Sequence, residues 1–454
     1  MIAALGRARG AAGIAVEKAA GDASGAGYRR WVLTVLVIVY GFNFIDRQII
    51  GMLAVPIKRD LNLSDGQLGL MGGLAFALLY TLLAVPVARY ADRGRRVRVL
   101  GASLALWSLM TALCGSALSF TQLFLGRVGV GVGEAGGVAP AHSLISDYFP
   151  AGERARALGI YALAVPLGSA LGIVAGGYLA SVADWRFAFR VVGIAGLLFA
   201  PVVGWSLREP VARATPAATV GLREAVGLLV GNVSFVALAL GAGIGSIAGY
   251  GVLFWLPSFY VRTFGLTLWH ASLGFAAVLA VGGVVGIVLG GRLGDRLGAA
   301  APGRYALVAA AGFAGAAPLF ALALLAPNAT LSLALLVLPL AFALGWLGPA
   351  YAAVQRLAGE GLRATAAAVF LFVVNLIGLG VGAPLIGLLS DRFAPLAGTA
   401  ALRNALLVAL LTYPVGALFF AFAATRLGAD SRRVAEEALR RARPHAPAGA
   451  GPRP

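Results

Sequence analysis

Two pairs of ionisable residues stand inside stretches that are otherwise apolar: Asp46 with Arg47 within residues 31–55, and Arg127 with Glu134 within 120–148. An ionisable side chain near the centre of a bilayer costs at least about 2.5–3.5 kcal/mol on insertion scales, so as a rule it faces a cavity or a partner and has a task. Seven residues, nearly two helical turns, separate Arg127 from Glu134 and put both on one helix face. With the first span running outward and the fourth inward, Asp46 lies ~13 Å below the outer end of its helix at ~1.5 Å per residue. By the same rise Arg127 lies above that level and Glu134 below it, so Asp46 is expected between a cation and a second acid. Desolvation disfavours the charged form of a carboxylate and a neighbouring guanidinium favours it. A ligand that occupies the guanidinium therefore gives the carboxyl a reason to bind a proton. This suits Asp46 and Glu134 for proton coupling and Arg127 for an anionic headgroup. The same set would also serve as a salt-bridge lock between two helices that never titrates. Arg47 either reaches the cavity or satisfies a backbone carbonyl. His142 titrates near neutrality but fits better as a packed, hydrogen-bonded side chain.

The elements that must position these residues follow from hydropathy. Apolar runs fall at 31–55, 67–89, 97–118, 120–148, 157–181 and 187–207, and again at 233–261, 271–291, 304–326, 330–356, 366–390 and 401–425. Each is long enough to cross a ~30 Å hydrocarbon core as a helix, whereas barrel strands are shorter and alternate in polarity. Of the 454 residues 60% are hydrophobic and only 12% charged, about half the charge a soluble domain carries. The expectation is an all-α membrane protein of twelve transmembrane helices. With the N-terminus inside, cytoplasmic segments hold 27 Lys and Arg residues and the opposite loops 7, the asymmetry of an inner-membrane protein with both termini cytoplasmic. The expected division is a cytoplasmic tail (1–30), a six-helix bundle (31–207), a cytoplasmic linker (208–232), a second six-helix bundle (233–426) and a second tail (427–454).

The net charge of +18 does not point to nucleic acid, because the arginines sit in short clusters between apolar runs, such as Arg89 to Arg98 and Arg292 to Arg304, and no basic domain with interleaved aromatics occurs. Gly131-Val-Gly133-Glu-Ala-Gly136 matches a dinucleotide-binding pattern, yet no strand precedes it, and close helix packing explains its glycines better. Neither Lys18 nor Lys58 follows a phosphate-binding loop. Three His and one Cys, widely separated, are too few for a metal centre. No nucleophile with a base and an orienter is evident, so no enzyme, cofactor or metal is expected. Phe42, Tyr80, Tyr250, Trp255, Tyr351, Gln355 and Asn375 are candidates to line a cavity, although each would also serve as packing. Few polar groups with one credible cation suit an amphiphile with a single anionic head better than a sugar, which needs many hydrogen-bonding side chains.

The sequence also repeats itself. Ala88-Arg-Tyr-Ala-Asp92-Arg93-Gly94-Arg95-Arg96 follows the second span, and Gly291-Arg-Leu-Gly-Asp295-Arg296-Leu-Gly298 follows the eighth. Pro140-Ala141 and Arg154-Ala155-Arg156-Ala157 align, at a constant shift of 209, with Pro349-Ala350 and Arg363-Ala364-Thr365-Ala366. Two parallel six-helix repeats with a site at mid-membrane are a known transporter plan.

The two Asp-Arg loops resemble the signature loop of the major facilitator superfamily, over essentially residues 30–426. Asn43-Phe44-Ile45-Asp46-Arg47, Gly126-Arg127 through Gly133-Glu134-Ala135, Ser146-Asp147-Tyr148-Phe149 with Arg154 and Arg156, and Val165-Pro166-Leu167-Gly168-Ser169-Ala170-Leu171-Gly172 are similar to stretches of its Spinster family of lipid transporters. Arg95 departs from the Asn or Gly expected in the first loop. The resemblance implies the major facilitator fold in a bacterial member and proton-coupled transport of a lysophospholipid or sphingoid phosphate by alternating access. It also implies that the acid–Arg set of the first and fourth helices does the coupling. Asp92 is expected to accept from the amides at a helix N-terminus of the other half, and with Arg93, Asp147, Arg154, Asp295 and Arg296 to form a cytoplasmic gate. Arg47, Phe42, Tyr80, Tyr250, Tyr351, Gln355 and Asn375 join Arg127 as expected substrate contacts. The partners expected are an amphipathic substrate, protons and membrane lipid, with the chain a monomer. Other readings are a multidrug–proton antiporter and, outside transport, a lipid scramblase or membrane sensor.

Overall fold

The computed structural model describes residues 25–91, 93, 95–210, 222–358 and 362–442. Most of the two expected tails, the middle of the linker, and Asp92 lie outside them. The described chain is helical. Six spans make up the first repeat: α1 (Ala26–Met52), α2 (Asp65–Ala91, interrupted at Gly73), α3 (Arg96–Cys114), α4 (Phe120–Glu134 and Val138–Tyr148), α5 (Ala151–Ala162 and Ala164–Val182) and α6 (Trp185–Ser206). Six more make up the second: α7 (Val233–Phe264), α8 (Leu268–Ala300), α9 (Gly303–Leu324), α10 (Ala329–Gly345 and Leu347–Leu357), α11 (Arg363–Val374 and Gly380–Ala397, joined by the π-helical turn Asn375–Leu379) and α12 (Ala401–Ala409 and Thr412–Ala442). The twelve apolar runs are thus twelve helical spans. Among the described residues ten continuous segments are long and apolar enough to cross a membrane; one of them, Thr365–Val434, holds both α11 and α12. The twelfth span, α4, falls short only because it is broken after Glu134.

In the unit that holds the first repeat, the end where α1 finishes is here called distal, and the end where the described chain starts is proximal. Short polar residues start five of the six even-numbered spans. Ser64, Ser119, Asp184 and Asn328 each accept a hydrogen bond from the amide three residues on, and Thr267 does so for α8. Such caps satisfy helix-start amides that have no partner within the helix. They let the distal turns be tight, as in the two-residue step from Val182 to Trp185.

Large apolar side chains stay exposed along the spans, among them Leu171, Leu198, Leu322 and Leu418. Water would penalise that surface and lipid does not. Inside the first repeat, Val35, Leu36, Trp107, Leu144 and Val203 form a buried core. The expected boundary at 208–232 separates the two repeats of the sequence. Compactness groups the chain differently. One unit contains the described residues up to 210 together with Tyr250–Ala280 and Leu379–Leu406; the distal parts of α7, α8 and α11 therefore belong with the first repeat. The other unit has its own aromatic core, where Phe313 meets Trp346, Tyr413 and Phe420 at centroid distances of 5.3–5.4 Å.

Candidate functional site

Consecutive residues on a helix point about 100° apart, so Asp46 and Arg47 cannot share a partner easily. Each takes a different one from α4. Asp46 is 1% exposed and accepts from Thr111 Oγ1 of α3 at 2.6 Å and, across 3.4 Å, from Arg127 Nη1, also 1% exposed. Arg47 Nε donates to Glu134 Oε2 at 2.8 Å, and Glu134 is fully buried. Two ion pairs therefore cross from α1 to α4, carrying no net charge. A buried charge must be compensated, since removing one partner leaves the other stranded at a cost of several kcal/mol.

Arg47 is largely enclosed, its side chain 17% exposed. Its guanidinium is paired with Glu134 and packed among rings, 4.7 Å from the centroids of Phe76 and Tyr80 and 5.4 Å from that of Phe44. The four charges form two ion pairs of unequal length, Asp46 with Arg127 at 3.4 Å and Glu134 with Arg47 at 2.8 Å. The looser pair is the one with Arg127. Three groups in this set remain without a hydrogen-bond partner although buried: Arg127 Nε, Glu134 Oε1 and both amide atoms of Asn43. Unpaired polar atoms are rare in folded interiors, and four of them belong to Asn43, Arg127 and Glu134.

Local sequence explains how α4 offers both charges. Gly131 and Gly133 lie where a Cβ would meet the backbone of Phe76 and of Trp107, so α4 packs closely on α2 and α3 as the glycine spacing predicts. The helix stops directly after Glu134, through Ala135-Gly136-Gly137, and resumes at Val138. Of the other candidates, Phe42 packs on Phe199 of α6 with centroids 5.8 Å apart, and Tyr80 stacks on Phe76 at 5.1 Å. Tyr250 is half-buried in the same compact unit. Tyr351, Gln355 and Asn375 belong to the second unit. There Tyr351 meets the Phe370 ring edge-on, Gln355 Nε2 donates to the Arg363 carbonyl at 3.4 Å, and Asn375 opens the π-helical turn of α11. His142 packs edge-on against Tyr161, with centroids 5.3 Å apart.

A second cluster, at the distal end, was not foreseen. Asp65 is the first residue of α2, and its Oδ1 accepts from Lys58 Nζ at 2.5 Å and Arg262 Nη2 at 2.9 Å. Its Oδ2 accepts from Arg262 Nη1 and from Ser390 Oγ, both at 2.7 Å. Asp391 accepts from the backbone amides of Asp65 at 2.9 Å and Gly66 at 2.7 Å, an anion placed at a helix N-terminus where the dipole favours it. Trp255 lies beneath the Arg262 guanidinium, 5.6 Å to the ring centroid, and its Nε1 donates to the Ala383 carbonyl at 2.9 Å. Side chains at Gly69 or Gly387 would collide with the Ala383 and Asp65 carbonyls, so the approach of α2 to α11 depends on those glycines. A signal existed: Gly387-Leu-Leu-Ser-Asp391-Arg392 is a third copy of the spacing seen at Asp92 and Asp295.

Residues 36–380 match the family profile described as Major Facilitator Superfamily. The chain belongs to the major facilitator superfamily. It is a multi-pass membrane transporter of the Spinster type and not an enzyme. An MFS-type efflux pump of Mycolicibacterium smegmatis is 35% identical over 415 residues, covering 90% of this chain and 95% of that one. Protein spinster homolog 1 of Mus musculus is 31% identical over 323 residues, 66% of this chain and 60% of its own. The crystal structure of a bacterial homolog to the human lysosomal transporter Spinster, inward-facing and unoccupied, superposes with a TM-score of 0.77. That protein is 30% identical, and the match covers 91% of this chain and 99% of that one. A D-xylose–proton symporter, 18% identical with a TM-score of 0.68, shares the fold.

In this transporter the residues expected at a cytoplasmic gate stand as follows. Asp147 pairs with Arg96, the buried first residue of α3, which also binds Glu209 at 2.8 Å and Ser143 Oγ at 2.9 Å. Arg154 Nη2 donates to the Ser146 carbonyl at 2.8 Å, at the end of α4. Both residues thus fasten the proximal ends of the first repeat. Arg93 is exposed in the turn after α2, while Asp295 and Arg296 are exposed on α8 in the second unit. Arg96 was hidden in a basic run and marked only by its burial.

Proposed function

We propose that this chain is a proton-coupled secondary active transporter that moves an amphipathic anionic lipid-like substrate, of the lysophospholipid or sphingoid phosphate class, by alternating access. It works as a monomer in a bacterial inner membrane with both termini cytoplasmic, placing the distal end outside. The observation that carries the reading is the unequal pair of ion pairs, with Asp46 held loosely by Arg127 and Glu134 held closely by Arg47. An anionic headgroup that takes the Arg127 guanidinium deprives Asp46 of its countercharge, and a carboxylate left so in an apolar interior gains a proton. Loss of the substrate restores the pair and releases the proton. Anion and proton then load together, and coupling follows from charge neutrality. Arg47 and Glu134, closed within the Phe44, Phe76 and Tyr80 rings, act as the second proton-linked pair, and Phe42, Tyr80 and Tyr250 offer apolar and hydroxyl contacts to the ligand.

Uptake into proteoliposomes with and without a pH gradient tests this. Asp46→Asn and Glu134→Gln are each expected to lose gradient-driven accumulation while retaining exchange. Unchanged gradient-driven uptake by both variants defeats proton coupling through these acids. The relationship to an efflux pump favours a second reading, a multidrug–proton antiporter, and competition of lipophilic cations for transport identifies it. Movement of lipid without saturation and without any gradient identifies a scramblase instead.

A further inference from the structure

The distal cluster contains a feature that a simple clasp would not need: two cations on one carboxylate oxygen. Lys58 Nζ and Arg262 Nη2 both donate to Asp65 Oδ1, at 2.5 and 2.9 Å. The two cations come from different repeats. Lys58 lies on the short helix Ala54–Leu61, four residues before the left-handed Asn62 that turns the chain into α2. Lys58 and Asp65 are therefore carried by one compact corner of the first repeat. Arg262, Ser390 and Asp391 come from α7 and α11 of the second.

We propose that Asp65 is a two-partner switch, in which Arg262 holds the distal end closed and Lys58 keeps the carboxylate compensated when Arg262 withdraws. The proposal rests on the alternating-access reading above. Breaking a partly buried pair is costly mainly because it strands a charge. Lys58 removes that cost, since its pair with Asp65 is retained on the same corner in both arrangements. While the end is closed, Lys58 also repels the Arg262 guanidinium on the shared oxygen, so it weakens closure. The two cations thus touch the same atom and act in opposite directions. Asp391 adds the second half of the clasp: its hydrogen bonds to the amides of Asp65 and Gly66 exist only while α11 abuts α2, and water takes its place at the helix start afterwards.

Spin labels at Asn62→Cys and Leu396→Cys, both exposed positions of the distal end, in a Cys114→Ala background, report the separation by pulsed electron–electron resonance in lipid nanodiscs. Arg262→Gln is expected to raise the ratio of long to short distances roughly tenfold. Lys58→Gln is expected to lower it roughly threefold. Should Arg262→Gln fail to fold by thermal unfolding, Arg262→Lys gives a smaller change in the same direction. Two variants that shift the ratio in the same sense, or a Lys58→Gln that leaves it unmoved, overturn the switch while leaving alternating access intact. Wild-type protein that shows one distance at every pH and with every lysolipid tested overturns alternating access, and the switch with it.

Discussion

The charges between α1 and α4 and the charges at the distal end are both ion-pair clusters, yet they are built to opposite standards. At the distal end Asp65 is saturated with donors and Asp391 accepts at both of its oxygens. Asp65 receives donors from Lys58, Arg262 and Ser390, and Asp391 receives two backbone amides. Between α1 and α4 the groups are more deeply buried but less satisfied, with a 3.4 Å contact between Asp46 and Arg127 and bare polar atoms on Arg127, Glu134 and Asn43. Saturation favours holding. Deep burial with spare valence favours exchange, because an incoming headgroup or proton finds groups already dehydrated and only half engaged. The difference separates a part that fixes a conformation from a part that reads a ligand.

This contrast can be broken most severely within the interior. Glu134→Leu leaves Arg47 buried without a countercharge and is expected to destabilise the protein by about 3–5 kcal/mol. Arg47→Leu added to it should recover most of that loss in thermal unfolding, while transport stays abolished. A double variant no more stable than the single one would place the importance of Glu134 elsewhere. A smaller effect is expected at the distal end. Asp65→Asn keeps the shape but discards the charge shared by Lys58 and Arg262, for about 1–3 kcal/mol, also by thermal unfolding. Smallest is Thr111→Val, which removes one hydroxyl from Asp46 and is expected to cost about 1 kcal/mol. Its sharper signature is a displaced pH dependence of uptake, because the Asp46 carboxylate has one donor fewer. A profile that does not move would show Thr111 to be packing alone.

The spans were legible because lipid imposes length and apolarity on every helix that crosses it, and the two repeats because Asp92 and Asp295 stand at matching places. The chemistry of α1 and α4 was legible for the same reason: Asp46, Arg47, Arg127 and Glu134 stand out against an apolar background. What composition does not encode is rotation. Spacing says that Asp46 and Arg47 diverge by 100°, but which neighbour each meets depends on how α1 and α4 turn about their own axes. Asp65 and Asp391 are brought together across 326 positions of sequence, and an acid at the edge of a span looks like an ordinary loop residue. Only the repeated glycine-to-aspartate spacing at 387–391 pointed to it. The break after Glu134 was written in Ala135-Gly136-Gly137, but glycine is common enough in membrane helices that its effect is hard to read.

That break has a mechanical consequence. A continuous helix transmits tilt and torsion along its length like a stiff rod; α4 is two shorter rods meeting at a joint immediately beyond Glu134. Its proximal piece is bolted through Asp147 to Arg96, whereas its distal piece bears Arg127 and Glu134. The joint at residues 135–137 can take up movements at the proximal rim, which would insulate the geometry of the two charges from them.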